Sequence, residues 1–350
     1  MTEYLQNVID QPSALKHVLE YYRGCGAVSL KAVRDAYHRG GYRSVLLTGM
    51  GSSLFACQVA VNYLNERGIT AWSMDAADLL YYNLNGVKED ILLVAVSQSG
   101  VSVELTKLLS RLPAGLPLVG VTNVPSSPLG QRADFQLPIQ VSPDRSVAVK
   151  TYTASVLILW LLSDSLAGED ERHGDHDQAA MAIKAMGRVI EDLETRLGQL
   201  EAFVGLPTFV HCIGRGPSFS SAQEGALLFK EGAKIYAEGI SGGQFRHGSI
   251  EVVQEGHLGV LFAPAGRSHD LNCRLAGEMV EAAGRVVFVS PAGPGFSHER
   301  LLHVPVEAVD EHLAPLPEIV PLQLLVSRLA ARKGFEAGDF FNTVPVITKE

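Results

Sequence analysis

The chain has 350 residues, 47% of them hydrophobic, which is enough for two cores of ordinary domain size. A net charge of −9 leaves no Lys/Arg stripe to displace counterions from a polyphosphate backbone, so nucleic acid is not an expected partner. Cys25, Cys57, Cys212 and Cys273 form neither a CxxC nor a Cys/His ligand spacing, and no apolar run reaches membrane-spanning length; a cytoplasmic chain with reduced core thiols, no metal or other cofactor and no membrane attachment is expected.

The start, Met1-Thr2-Glu3-Tyr4-Leu5, lacks a basic region followed by an apolar one, so no export signal is expected. Residues from about 10 to 40 carry apolar positions at helical spacing, among them Leu15, Val18, Leu30 and Val33, and predict an N-terminal helical segment, 1–40, beside a first domain at 41–170. Its first strand, Val45–Thr48, runs into Gly49-Met50-Gly51-Ser52-Ser53. Gly51 lets backbone approach a ligand, and Ser52 and Ser53 add hydroxyl donors.

Next comes the apolar run Ile91–Val96, then Ser97-Gln98-Ser99-Gly100-Val101-Ser102, then the helical pattern Glu104–Leu112. A buried strand that stops in a Ser/Gly turn and feeds a helix gathers free backbone N–H groups, hydroxyls and a positive helix end in one small volume. A lone Ser-x-Ser reads as a helix cap. Three serines after a wholly apolar strand read as an anion cradle, with Ser97, Ser99 and Ser102 all able to reach a phosphate monoester.

After the strand Leu118–Thr122, the charged stretch Gly168–Asp177 breaks the pattern and is the linker candidate, followed by the amphipathic segment Met181–Leu200; linker and connecting helix together occupy 171–200. A second domain, 201–333, repeats the first. Val210-His211-Cys212-Ile213-Gly214-Arg215-Gly216 is similar to Val45–Gly51, Gln223 stands to Gln58 at the same offset, and Leu258–Phe262 and Val286–Ser290 match the later strands. Apolar β-rich runs alternating with helical periodicity predict α/β architecture: parallel sheets covered on both faces, doubly wound.

Within the second domain a helix over Ser221–Tyr236 puts Glu224 and Glu231 two turns apart on one face. An enclosed carboxylate of raised pKa suits proton transfer between adjacent carbons; the plainer reading is a solvated acidic stripe, against which Gly225 and Gly232 speak for close packing. His247 follows the Gly-rich turn Gly239–Arg246, and an imidazole titrating near neutrality suits proton shuttling. The other histidines read as structural or exposed. A helix at Pro321–Arg332 leads into an extended tail, 334–350.

The repeat, the Ser97-Gln98-Ser99-Gly100 turn, and the stretch from Glu224-Gly225-Ala226-Leu227 to His247-Gly248 together resemble the sugar isomerase (SIS) domain family. The tandem arrangement is similar to the isomerase half of glucosamine-6-phosphate synthase and to related phosphosugar deaminases and deglycases. This resemblance implies two tandem flavodoxin-like domains and a site in which Gly51, Ser52, Ser53, Ser97, Gln98, Ser99 and Ser102 hold a sugar 6-phosphate. It implies that Val147, in the stretch Ser146–Thr153, lines the sugar, and that Glu231 is the base with Glu224 supporting it by hydrogen bonding. It also implies that His247 opens the sugar ring from the neighbouring subunit of a homodimer. Lys150 stays open between an anion contact and a solvated or helix-capping lysine.

The implied activity is a metal-free isomerase/deaminase acting on an amino-sugar or fructosamine 6-phosphate. A deglycase for fructosyl amino acid 6-phosphates, or a non-catalytic phosphosugar-binding regulator, are the alternatives. Leu228 stands where the synthase has a lysine one turn before the base, and Pro345 where it has a tail lysine, with Lys349 four residues on. Thr2 at the start, with no room before the first sheet for a glutaminase domain, makes a stand-alone glutamine-dependent synthase unexpected.

Overall fold

The computed structural model describes residues 2–144, 147–168, 176–342, 344 and 346–348. It contains two five-stranded sheets, each wholly parallel. The first is built from β1 (Ser44–Gly49), β2 (Ala71–Asp75), β3 (Ile91–Val96), β4 (Leu118–Thr122) and β5 (Phe135–Pro138), in the order β2-β1-β3-β4-β5. The second repeats that order with β6 (Phe209–Gly214), β7 (Tyr236–Ser241), β8 (Leu258–Phe262), β9 (Arg285–Ser290) and β10 (Leu301–Pro305), as β7-β6-β8-β9-β10. Parallel pairing requires a crossover between strands, and helices supply it, so the central strands are apolar on both faces. All residues of β1, β3, β4 and β8 are buried.

The chain divides into two compact units. One comprises Ser13–Ala179 with Phe341–Glu350 and holds the first sheet; the other comprises Met1–Pro12 with Ala180–Phe340 and holds the second. In the first unit the helix Lys150–Ala167 is buried almost all round, with Trp160 2% exposed, as its apolar middle, Val156–Leu162, requires. It packs along the helix Ser52–Glu66, where the Tyr63 hydroxyl donates to Asp164 Oδ1 at 2.5 Å. In the second unit the N-terminal segment is tied to the helix Val320–Arg332: Tyr4 donates its hydroxyl to the Gln323 carbonyl, and Gln11 bonds the Gln323 side chain.

The N-terminal segment 1–40 contains the helices Glu3–Arg23 and Ala27–Gly40. The core-thiol expectation needs one correction: Cys57 and Cys212 are buried, but Cys25 is exposed and Cys273 half-buried. Most of the expected linker lies outside the described residues. Among those described, no helix is long and apolar enough to cross a membrane.

Candidate active site

β1 and β3 lie side by side, Thr48 opposite Ala95, so the turns 49–53 and 97–102 leave the same sheet edge where the chain order reverses. Doubly wound sheets bind ligands at that reversal. A Cβ on Gly49 would stand 2.9 Å from the Val96 carbonyl oxygen and 3.0 Å from Ser53 Cβ, so only glycine lets the two turns meet. Gly51, at φ 52° and ψ −130°, occupies backbone space closed to residues with a Cβ. At Gly100, φ 66°, an added Cβ would fall 2.0 Å from Ser127 Oγ.

Ser97 Oγ accepts the Gly100 N–H at 3.1 Å and Ser99 Oγ accepts that of Val101 at 3.4 Å. A hydroxyl that accepts keeps its own proton to donate, so both remain donors toward the turn. Ser102 is the N-cap of the helix Val103–Arg111, yet its side chain makes no cap bond. Gln98 is anchored through its carbonyl, which accepts the Asn123 N–H at 3.0 Å. One donor that sequence alone leaves to the anion is taken: the Val103 N–H bonds the Ile347 carbonyl of the C-terminal tail at 3.1 Å. Pro345 and Lys349 lie outside the described residues.

Ser99 sets up a direct check. Loss of one charge-assisted hydrogen bond costs about 1.5–3 kcal/mol, so Ser99→Ala is expected to weaken a 6-phosphosugar roughly tenfold or more in calorimetric titration. Unchanged affinity in the folded variant would place the phosphate elsewhere.

Val147 is 1% exposed and leads into the helix Lys150–Ala167, while Ser146 lies outside the described residues. Asp144 caps that helix: Oδ2 accepts the N–H groups of Val149 and Thr151, each at 2.9 Å, and the Thr151 hydroxyl at 2.8 Å. Lys150 is therefore neither a solvated nor a capping lysine. It is 4% exposed, and its Nζ donates to Ser142 Oγ at 2.7 Å.

In the second unit the turn after β6 starts the helix Phe219–Ala233. The helix Val320–Arg332 packs so closely on it that a Cβ on Gly225 would stand 2.7 Å from Leu322 Cδ2, and one on Gly232 2.3 Å from Val326 Cγ1. The glycine spacing thus marks a helix contact. Glu224 and Leu228 are wholly buried. Glu231, half-buried in the last turn, has its carboxyl pKa raised by burial, with the Lys234 and Lys230 ammoniums pulling it partly back. The helix ends earlier than expected because Lys234 turns left-handed at φ 52°, and Tyr236 begins β7.

The expected Gly-rich turn before His247 is also corrected. Gly239–Ser241 finish β7, and Gly242–Arg246 form a short helix capped by Ser241 Oγ, which accepts the Gln244 N–H at 3.3 Å. His247 follows, exposed. Glu231 sits at the end of its helix from which β7 departs, and His247 beyond the end at which β7 arrives. Six strand residues at ~3.3 Å each separate those ends by about 20 Å. The length of β7 thus lies between the helix end that carries Glu231 and the turn that carries His247.

Glu318 carries no expectation from the sequence, although a single carboxylate in the run Leu313–Leu325 is itself a signal. It is 1% exposed and accepts the hydroxyls of Ser221 at 2.6 Å and Ser218 at 3.1 Å, at the start of the Glu231 helix. Burial pushes its pKa up to about 7 against those two hydrogen bonds. A carboxyl raised in the folded state stabilises most below its unfolded pKa near 4.5 and loses that contribution as pH climbs toward 7. Glu318→Gln, which has no proton to lose, is expected to gain on the wild type by on the order of 2–3 kcal/mol across that window in urea unfolding. A stability difference that does not change with pH would mean Glu318 holds no shifted proton.

Two other histidines, His211 and His257, form a buried pair with Nδ1 and Nε2 at 2.8 Å, and burial lowers both pKa values to about 4. They are neutral packing groups at pH 7. No group of three His, Cys, Asp or Glu is placed to hold a metal among the described residues.

A family model described as SIS domain matches residues 42–163 and 210–330. The glutamine–fructose-6-phosphate aminotransferase (isomerizing) of Pyrococcus horikoshii is 28% identical over 355 residues, covering 99% of this chain and 57% of that protein. The chain thus spans little more than half the length of that relative. The C-terminal domain of glucosamine-fructose-6-phosphate aminotransferase from Francisella tularensis superposes with a TM-score of 0.85 at 20% identity, covering 96% of this chain and 98% of that one. Glucosamine-6-phosphate deaminase from Thermotoga maritima gives 0.78 at 19% identity, covering 96% and 97%.

Proposed function

The chain belongs to the SIS domain family, and from that premise we propose that it is a phosphosugar isomerase/deaminase acting on an amino-sugar or fructosamine 6-phosphate. The observation that carries the reading is Glu231, a carboxyl raised by burial on a helix held by close glycine contacts. A raised pKa keeps a carboxylate basic enough to accept a carbon-bound proton and acidic enough to return it.

In the proposed sequence the serine turns take the phosphate, and His247 of a second copy moves a proton from a ring hydroxyl to the ring oxygen, opening the sugar. Glu231 moves a proton between the two carbons, from C2 to C1 in an open-chain 2-amino aldehyde or from C1 to C2 in a 1-amino ketose. Water then hydrolyses the resulting imine, at C2 in the first case to a ketose 6-phosphate and ammonia, at C1 in the second to an aldose 6-phosphate and the free amine. The substrate, the homodimer and the roles of Glu224 and Val147 as binding groups belong to the same proposal.

Incubation with glucosamine 6-phosphate, fructose 6-phosphate and fructosyl amino acid 6-phosphates, following ammonia, free amino acid and aldose, tests it. Turnover of one of these is expected. Saturable binding without turnover of any would leave a phosphosugar-binding regulator.

A further inference from the structure

Lys150 is the one Lys or Arg buried among the described residues. Its hydrogen-bond partner is the neutral Ser142 hydroxyl, and no carboxylate among those residues pairs with it. The nearby Asp144 is occupied by three backbone N–H groups and a hydroxyl. An ammonium withdrawn from water and given one hydroxyl is unfavourable unless an anion completes its coordination.

Two independent routes place this ammonium beside the serine turns. Asn123 donates its N–H to the Gln98 carbonyl and clamps Val141 through both side-chain atoms, fixing Ser142 next to the 97–102 turn. The helices Ser52–Glu66 and Lys150–Ala167 pack along their lengths, and Tyr63 near the end of one meets Trp160 and Asp164 of the other. Tyr63 lies eleven residues beyond Ser52, and Trp160 and Asp164 lie ten and fourteen beyond Lys150. Each helix follows a strand of the parallel first sheet, β1 and β5, whose carboxyl ends share one edge, so both start at that edge and meet again at Tyr63; they run in the same direction, with the Lys150 end beside the Ser52 and Ser53 end.

We infer that Lys150 is the charged contact for the ligand's phosphate: Ser142 holds Nζ beside the two serine turns, and the phosphate dianion completes the ammonium's hydrogen bonds. This deepens the phosphosugar reading and rests on it for the sugar, though not for the phosphate. It also gives the cradle a preference for dianionic phosphate monoesters over uncharged sugars, which hydroxyl and backbone donors alone do not supply.

The test compares the full-length wild type with Lys150→Met in phosphate-free buffer, by calorimetry and thermal unfolding, with fructose 6-phosphate, inorganic phosphate or fructose added. Methionine keeps the volume of the lysine stem and removes the charge. The variant is expected to bind fructose 6-phosphate about tenfold to a hundredfold more weakly, and without ligand to melt at or above the wild-type temperature. Equal affinity overturns the inference. So does a variant that melts lower or fails to fold, because Lys150 would then be structural. A wild type that responds to inorganic phosphate through Lys150, but not to fructose 6-phosphate or, added in a further titration, glucosamine 6-phosphate, upholds the inference and removes the phosphosugar reading. A wild type that responds to neither removes both.

Discussion

Glu231→Gln is expected to lower turnover of the 6-phosphosugar by about two to four orders of magnitude, the usual contribution of general acid–base catalysis, while binding persists. Glutamine keeps the size and hydrogen bonding of the side chain and removes only proton acceptance. Burial has already raised the carboxyl pKa, so the pH–rate profile of the wild type should rise with pH through a value above the ordinary glutamate range. Steady-state kinetics and a binding titration on the same preparation separate the two quantities. A variant that turns over at nearly the wild-type rate would eliminate Glu231 as the base.

His247→Ala is expected to be impaired to a similar degree, and mixing the two impaired variants is expected to restore activity. The length of β7, about 20 Å, lies between the helix end that carries Glu231 and the turn that carries His247 in one chain. The proposal assigns the two groups at each sugar to different copies. Random exchange of Glu231→Gln with His247→Ala subunits produces about one half heterodimers, each with one intact site and one lacking both groups. Recovery of roughly a quarter of wild-type activity is therefore expected for independent sites in a two-fold dimer. Gel filtration must first show a dimer that exchanges. No recovery after exchange would mean that His247 acts within its own chain or has no part in the chemistry.

The central strands were legible in the sequence because helices cover both of their faces. Ile91–Val96 and Leu258–Phe262 read as uninterrupted apolar runs and are the strands found. The edge strands were not legible. Phe135–Pro138, Tyr236–Ser241 and Leu301–Pro305 are only partly buried, mix polar with apolar positions, and lack a strong period. Missing Tyr236–Ser241 extended the preceding helix and turned its C-terminal half into a loop, which hid the distance between Glu231 and His247.

The serine turns were legible because glycine and serine mark a strand-to-helix junction by local chemistry alone. Long-range features left no such mark. The carbonyl of Ile347 on the Val103 N–H and the clamp of Asn123 on Val141 join segments far apart in the chain. The burial of Lys150 depends on the packing of two helices, so its local sequence is compatible with a solvated lysine as readily as with a buried one.

Exchange of carbon-bound hydrogen with solvent tests the proton transfer most directly, since it needs no knowledge of the leaving amine. Glucosamine 6-phosphate and fructose 6-phosphate are incubated with the protein in D2O and followed by proton NMR. The wild type is expected to wash deuterium into C1 or C2 of at least one of them, and Glu231→Gln to leave both unexchanged. Absence of exchange with the wild type on every 6-phosphosugar it binds, or equal exchange with Glu231→Gln, would contradict Glu231-catalysed proton transfer.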